Sequence, residues 1–269
     1  MSRIAAQFKR LNDEGRKGFI PFLTAGDPDL ETSLAIALSL ARQADVIELG
    51  VPFSDPMADG PVIQRSSQRA VNNGTSLRDV IKLASKIRNK SEVPVVLFSY
   101  YNPLLNFGVD DFCRVGADAG VDGVLLTDVI DDEALDLSDR LAAFDIDLIS
   151  LVSPTTADAR LANICSHARG FLYAVSRNAI TGQQETTSGY AADLVQRVRA
   201  LTDLPVAVGF GISTGQQIAD VWEFADAAVV GSAIVSEIER ASRPSDAVSM
   251  VDSLLERLLP RVAKKGAEN

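Results

Sequence analysis

The chain has 269 residues, of which 46% are hydrophobic and 23% charged, a globular composition long enough to build a core without disulfides or metals. Its 26 basic residues against 36 acidic ones leave a net charge of −10, which argues against nucleic acid or an anionic membrane as partner, since either calls for a basic face. Cys113 and Cys165 form no ligand spacing and no redox motif, so a reduced, cytoplasmic location is expected.

The opening residues contain no long apolar run, so no secretory leader is expected, and Ile4, Phe8 and Leu11 recur at helical spacing. No later stretch approaches the roughly 18 apolar residues of a membrane span. Beyond the first helical stretch the chain alternates between two textures. Short runs rich in β-formers occur at Gly18–Leu23, Asp45–Leu49, Pro94–Phe98, Val121–Leu126, Asp147–Val152, Gly170–Val175, Pro205–Val208 and Ala227–Val230. Stretches of helical period separate them, for example Leu30, Leu34 and Leu38 with Ala37 and Ala41.

Eight such units, at about 34 residues each, predict parallel strands joined by helices. Three runs open alike, at Ala44-Asp45, Val121-Asp122 and Ala225-Asp226, and two are entered through Val93-Pro94 and Leu204-Pro205. No linker or composition break interrupts the chain, and no Gly-rich dinucleotide fingerprint follows the first run. A single closed (β/α)8 TIM barrel over residues 1–269, with an extra N-terminal helix, is therefore expected over an open doubly wound sheet. Ser213-Thr-Gly-Gln216 has the form of a capping box, Ala247–Val262 reads as a closing amphipathic helix, and residues 264–269 read as a flexible tail.

In such a barrel, function sits at the C-terminal ends of the strands. Glu48 ends an otherwise apolar strand, where an isolated carboxyl would have a raised pKa unless it simply points to solvent. The loop from Val51 to Pro61 comes directly after it, stiffened by three prolines and carrying Asp55 and Asp59. Either aspartate alone is an ordinary turn former, but two carboxyls over one apolar mouth can divide acid and base duties. Gly182, Gly211 and Gly231 come after the sixth, seventh and eighth runs, and loops after strands 7 and 8 commonly bind phosphate through backbone N–H groups. The polar stretch 176–188 has the length of a lid or of a plain surface loop.

Absences narrow the chemistry. All seven lysines fall in helices, the tail or the entrance to the first strand, so none is placed to form a Schiff base. The sole histidine, His167, closes a helix on the opposite face, which disfavours a metal site or a His-activated nucleophile. Carboxylate acid–base work on a phosphorylated small molecule, without a cofactor, remains.

Four segments now carry a resemblance. Glu48-Leu-Gly-Val-Pro-Phe-Ser-Asp-Pro-Met-Ala-Asp-Gly-Pro61, Gly18-Phe-Ile-Pro-Phe-Leu-Thr-Ala-Gly-Asp-Pro28, Phe210-Gly-Ile-Ser213 and Gly231-Ser-Ala-Ile-Val235 closely resemble the tryptophan synthase α chain, and the likeness runs from about residue 3 to 262. The resemblance implies cleavage of indole-3-glycerol phosphate to indole and glyceraldehyde 3-phosphate. It also implies an α2β2 complex whose β chain uses pyridoxal phosphate, with no cofactor on this chain. By the same resemblance Glu48 and Asp59 are catalytic, and Phe22, Tyr100, Leu125, Tyr173 and Thr181 are substrate-pocket or loop positions. Gly182, Gly211, Gly231 and Ser232 match the phosphate site, and Asp55, Pro56 and Asn102 match the β-chain contact. The chain departs from the family pattern at Ala179, where glycine is usual, and in Thr127-Asp128-Val129-Ile130, which lacks a proline. Two other readings stay open: a different phosphate-binding barrel such as a sugar-phosphate isomerase or epimerase, and a binding module that chiefly tunes a β subunit.

Overall fold

The computed structural model describes residues 1–175, 187–209 and 211–259. In chain order it contains α1 (Arg3–Asp13), β1 (Gly18–Thr24), α2 (Leu30–Leu40), β2 (Ile47–Gly50), α3 (Pro61–Asn72), α4 (Leu77–Arg88), β3 (Val95–Ser99), α5 (Tyr101–Phe107), α6 (Val109–Asp118) and β4 (Gly123–Leu126). It continues with α7 (Asp131–Ala142), β5 (Asp147–Val152), α8 (Asp158–His167), β6 (Leu172–Val175), α9 (Thr187–Arg199), β7 (Val206–Gly209), α10 (Gly215–Trp222), β8 (Ala227–Val230), α11 (Ser232–Arg240) and α12 (Pro244–Leu258). The strands run parallel in sequence order and close where β1 pairs with β8, so the expected barrel is present. No helix among the described residues is long and apolar enough to cross a membrane.

Several strands begin later than the sequence texture suggests, and the polar residues at their starts explain why. Asp45, Asp122 and Asp226 sit just before β2, β4 and β8 and accept a backbone N–H at the start of the strand alongside: Phe19 N–H at 2.9 Å, Val95 N–H at 2.7 Å and Val206 N–H at 2.9 Å. A side chain thus replaces a ladder acceptor where the backbone pairing stops. The three similar strand openings are one repeated solution to this problem. Pro94 and Pro205 stand outside β3 and β7 because they have no N–H to give, but their carbonyls accept from Ile47 and Leu172, each at 2.8 Å. Cations neutralise the aspartates on this face: Arg88 meets Asp122 at 2.6 Å, and Arg199 meets Asp226 at 3.0 Å.

The helix α1 closes the bottom of the barrel. Its Ile4, Phe8 and Leu11 pack among Ile20, Val46, Val96 and Phe171, with the Phe8 and Phe171 rings 5.5 Å apart. Burying this stripe is what fixes the helix, since an isolated 11-residue helix is marginal in water.

Other local expectations shift. In α2 the buried face is Ser33, Ile36, Ala37 and Leu40, while Leu30, Leu34 and Leu38 are only half-buried. Ile36, Ala37 and Leu40 are fully buried, and Ser39 hydrogen-bonds Asp252 of α12, so the buried face of α2 mixes large and small residues. The capping box is Thr214 with Gln217, one residue later than the sequence pattern suggests, because Thr214 has the extended backbone of an N-cap (φ −131°, ψ 153°). The closing helix starts earlier, with Pro244 in its first turn, and the expected end at Val262 lies outside the described residues, as does the tail 264–269.

Candidate functional site

Side chains alternate along each strand, so parity decides what faces the barrel interior. Ile20 and Phe22 on β1, Val46 just before β2 and Glu48 on it, Leu125 on β4 and Tyr173 on β6 share the inward parity, separate from the outward-packed Ile47, Leu49 and Leu97. In register, Phe22, Glu48 and Val96 stand side by side on β1, β2 and β3, and Phe98, Leu125 and Ile149 do so on β3, β4 and β5. Phe22 and Phe98 meet edge to face at 5.5 Å. The mouth of the barrel is therefore walled by apolar and aromatic groups around one carboxyl.

That carboxyl is Glu48. It is 1% exposed, and neither side-chain oxygen has a hydrogen-bond partner. Burial pushes its pKa up to about 8, so Glu48 holds its proton at neutral pH. A neutral buried acid at an apolar barrel mouth is the form required of a general acid.

The loop between β2 and α3 brings the second carboxyl. It is pinned at both ends: Phe53 exchanges hydrogen bonds with the Ser67 hydroxyl, its N–H donating at 2.9 Å and its carbonyl accepting at 3.0 Å. Gln64 donates to the Asp59 carbonyl at 2.9 Å. Tyr100, just beyond β3, ties the centre. Its hydroxyl accepts from the Ala58 N–H at 2.8 Å and donates to Asp59 Oδ2 at 3.1 Å, while its ring lies 5.1 Å from that of Phe53. Burial raises the Asp59 pKa to about 6, opposed by the Tyr100 bond, so Asp59 is ionised at neutral pH while Glu48 is not.

Tyr173 lies within reach of both. Its pKa is raised by burial first and then by the charges of Glu48 and Asp59. The ring fits only because β7 ends in glycine: a Cβ on Gly209 would stand 2.1 Å from the Tyr173 hydroxyl. Gly209→Ala is expected to cost about 1–3 kcal/mol as the ring is forced aside, read as a fall in Tm. An unchanged Tm would show that the ring is not held against β7.

Gly211 takes a left-handed φ of 73° in the turn after β7, and Gly231 is the N-cap of α11 with no side chain capping that helix. The open side of Gly231 faces Phe22 at 3.5 Å, and Phe22 is the register partner of Glu48. Glu48, Phe22, the uncapped N–H groups of α11 and Ser232 thus share one end of the barrel, on the adjoining strands β2, β1 and β8. Asp55 is exposed and Pro56 half-buried in the pinned loop, Asn102 is exposed in the first turn of α5, and Met57 in the same loop is 91% exposed. Thr181, Gly182, Ala179, Phe210 and the stretch 176–186 lie outside the described residues; Thr187 and Ser188 open α9 rather than ending a loop.

Among the described residues no group of His, Cys, Asp or Glu could hold a metal ion. His167 is the last residue of α8, on the α1 side of the barrel, and Lys90 lies in the turn after α4 rather than in a helix. Sequence reasoning overlooked Thr127 as a site residue. It stands two residues beyond Leu125, so simple alternation places it on the inward side, and its buried hydroxyl oxygen lacks a full hydrogen-bond partner.

With this geometry in place, comparison with known proteins is informative. The sequence profile described as "Tryptophan synthase alpha chain" matches residues 8–260. A tryptophan synthase alpha chain of Phenylobacterium zucineum is 46% identical over 97% of this chain and 93% of its own, and that of Chloroflexus aurantiacus is 44% identical over 98% and 100%. Among solved structures, the tryptophan synthase alpha chain of Legionella pneumophila superposes with a TM-score of 0.88 at 34% identity over the whole of both chains. A chain of the tryptophan synthase complex of Pyrococcus furiosus gives 0.82 at 37% identity, covering 90% of this chain and 98% of that one. A closed eight-stranded barrel, a protonated glutamate and an ionised aspartate at its mouth, and near full-length identity above 40% converge: the chain belongs to the tryptophan synthase alpha chain family.

Proposed function

We propose that Glu48 and Asp59 are the acid–base pair with which this lyase of tryptophan biosynthesis cleaves indole-3-glycerol phosphate to indole and glyceraldehyde 3-phosphate. The observation that carries the assignment is the division of protonation: burial leaves Glu48 protonated up to about 8, while Asp59 ionises near 6. In the proposed cycle the Glu48 carboxyl protonates indole C3, and positive charge develops toward the ring nitrogen. The Asp59 carboxylate accepts a hydrogen bond from the indole N–H and stabilises that charge. The Glu48 carboxylate then takes the proton of the glycerol C3′ hydroxyl as the C3–C3′ bond breaks. The bonding electrons return to the ring as indole, C3′ becomes the aldehyde, and Glu48 has regained the proton it gave, so the cycle requires no cofactor on this chain.

The apolar wall of Phe22, Leu125 and Tyr173 would hold the indole, with Tyr100 behind Asp59. The phosphate would sit at Gly211, Gly231 and Ser232, where uncapped N–H groups and the positive end of α11 favour an anion. Thr181 and Gly182 would join it from the sixth connection. Gly231→Val is expected to weaken binding of glycerol phosphate by about tenfold or more, because the branched side chain blocks approach to those donors. Unchanged binding in a titration would remove the phosphate from this site.

The family implies a β partner, and the arrangement proposed is an α2β2 complex in which the β chain carries pyridoxal phosphate. Asp55, Pro56 and Asn102 would meet that partner, with the exposed Met57, Leu105 and Ile130 supplying apolar area on the same edge. The deciding assay is indole release from indole-3-glycerol phosphate, with and without a β chain. No indole under either condition overturns the reading.

A further inference from the structure

Among the described residues four buried side-chain atoms lack a hydrogen-bond partner, and three of them lie at the barrel mouth: both oxygens of Glu48 and the hydroxyl oxygen of Thr127. Substrate chemistry accounts for the first two. Thr127 needs a separate explanation, because a hydroxyl left unpaired in a dry site costs free energy that valine would avoid. Its backbone is fixed by the Thr127 N–H bond to the Ser99 carbonyl at 3.1 Å, which joins the ends of β4 and β3, and Tyr100 is the next residue after Ser99. The Tyr100 oxygen already receives the Ala58 N–H and gives its own proton to Asp59 Oδ2. It retains one acceptor position.

We infer that Thr127 is a positioning residue whose hydroxyl donates to the Tyr100 oxygen and so directs the Tyr100 proton onto Asp59. Three groups then form one line: Thr127 hydroxyl, Tyr100 hydroxyl, Asp59 carboxylate. Donation into the phenol polarises its O–H and strengthens the bond it gives onward. The same contact lowers the Tyr100 pKa, as a hydrogen bond received by its oxygen does, against the upward push of burial and of Asp59. The inference rests on the role given to Asp59 in the proposed function.

The test is a double-mutant cycle on turnover of indole-3-glycerol phosphate in the presence of the β chain, using Thr127→Val, Tyr100→Phe and the pair. Thr127→Val is expected to lower kcat by about fivefold, the worth of one neutral hydrogen bond. KM should be nearly unchanged, and Thr127→Ser, which keeps the donor, should recover most of the loss. In the Tyr100→Phe background the valine substitution should have no further effect, since the acceptor is already gone. An equal loss in both backgrounds, or a serine variant as poor as valine, overturns the inference. If the valine protein fails to fold, Thr127→Ala replaces it in the same cycle. Asp59→Asn measured alongside separates the two levels: full activity in that variant removes the proposed site, whereas its loss together with an active Thr127→Val removes only the role of Thr127.

Discussion

Glu48→Gln should abolish most indole release and, at the same time, stabilise the fold in alkaline solution. The first effect comes from losing the proton donor and acceptor of both steps, expected to lower kcat by about 10²-fold or more. The second comes from burial. The folded chain keeps the Glu48 proton up to about 8, whereas the free carboxyl releases it near 4.5. Stability from this group is therefore complete below 4.5 and is lost progressively as the pH rises toward 8. Glutamine has no proton to lose, so the variant should match the wild type near pH 4 and exceed it at pH 8. A gain of about 2 kcal/mol there would raise Tm by roughly 4–8 °C. Thermal melts at the two pH values, with an indole assay, measure both effects. A variant that is inactive but no more stable at pH 8 would show that Glu48 is solvated in the folded protein; one that releases indole normally would remove its catalytic role.

Asp59→Asn should lower turnover by a similar factor, about 10²-fold, because the neutral amide accepts a hydrogen bond without offsetting charge at the indole nitrogen. The pH profile distinguishes this from structural damage. In the wild type kcat/KM should be bell-shaped, rising through about 6 as Asp59 ionises and falling through about 8 as Glu48 loses its proton. In the asparagine variant the acidic limb should vanish while the alkaline limb stays. A wild-type profile that neither falls below pH 6 nor falls above pH 8 would contradict the paired assignment.

The stiffness of the Asp59 loop bears on both predictions. Its prolines limit the backbone, but the Tyr100 hydroxyl, the Ser67 hydroxyl and Gln64 hold it in place. These three come from beyond β3 and from α3, so the loop depends on elements that come after it in the chain. A site built this way tolerates little displacement, since a shift of about 1 Å in a catalytic group can cost about 10²-fold in rate.

Much of this protein was legible before any coordinates. Eight apolar runs alternating with helical stretches are enough to define parallel strands joined by helices, because parallel strands need long right-handed crossovers; closure into a barrel is shown by the pairing of β1 with β8. A glutamate at the end of an apolar strand, with a proline-stiffened loop and two aspartates after it, already marked the chemistry, as did glycines after successive strands. Residue type and spacing could not divide the labour between Asp55 and Asp59, since both are turn formers of equal standing; only the family resemblance marked Asp59 as catalytic and Asp55 as a partner contact. The tertiary structure sets them apart: Asp59 is half-buried and accepts the hydrogen bond of Tyr100, 41 positions away, whereas Asp55 is exposed. The starts of β2 and β4, the buried face of α2 and the unpaired hydroxyl of Thr127 were settled in the same way. Each depends on which groups from distant segments exclude water, and desolvation is a property of the assembled packing that no local pattern of residues contains.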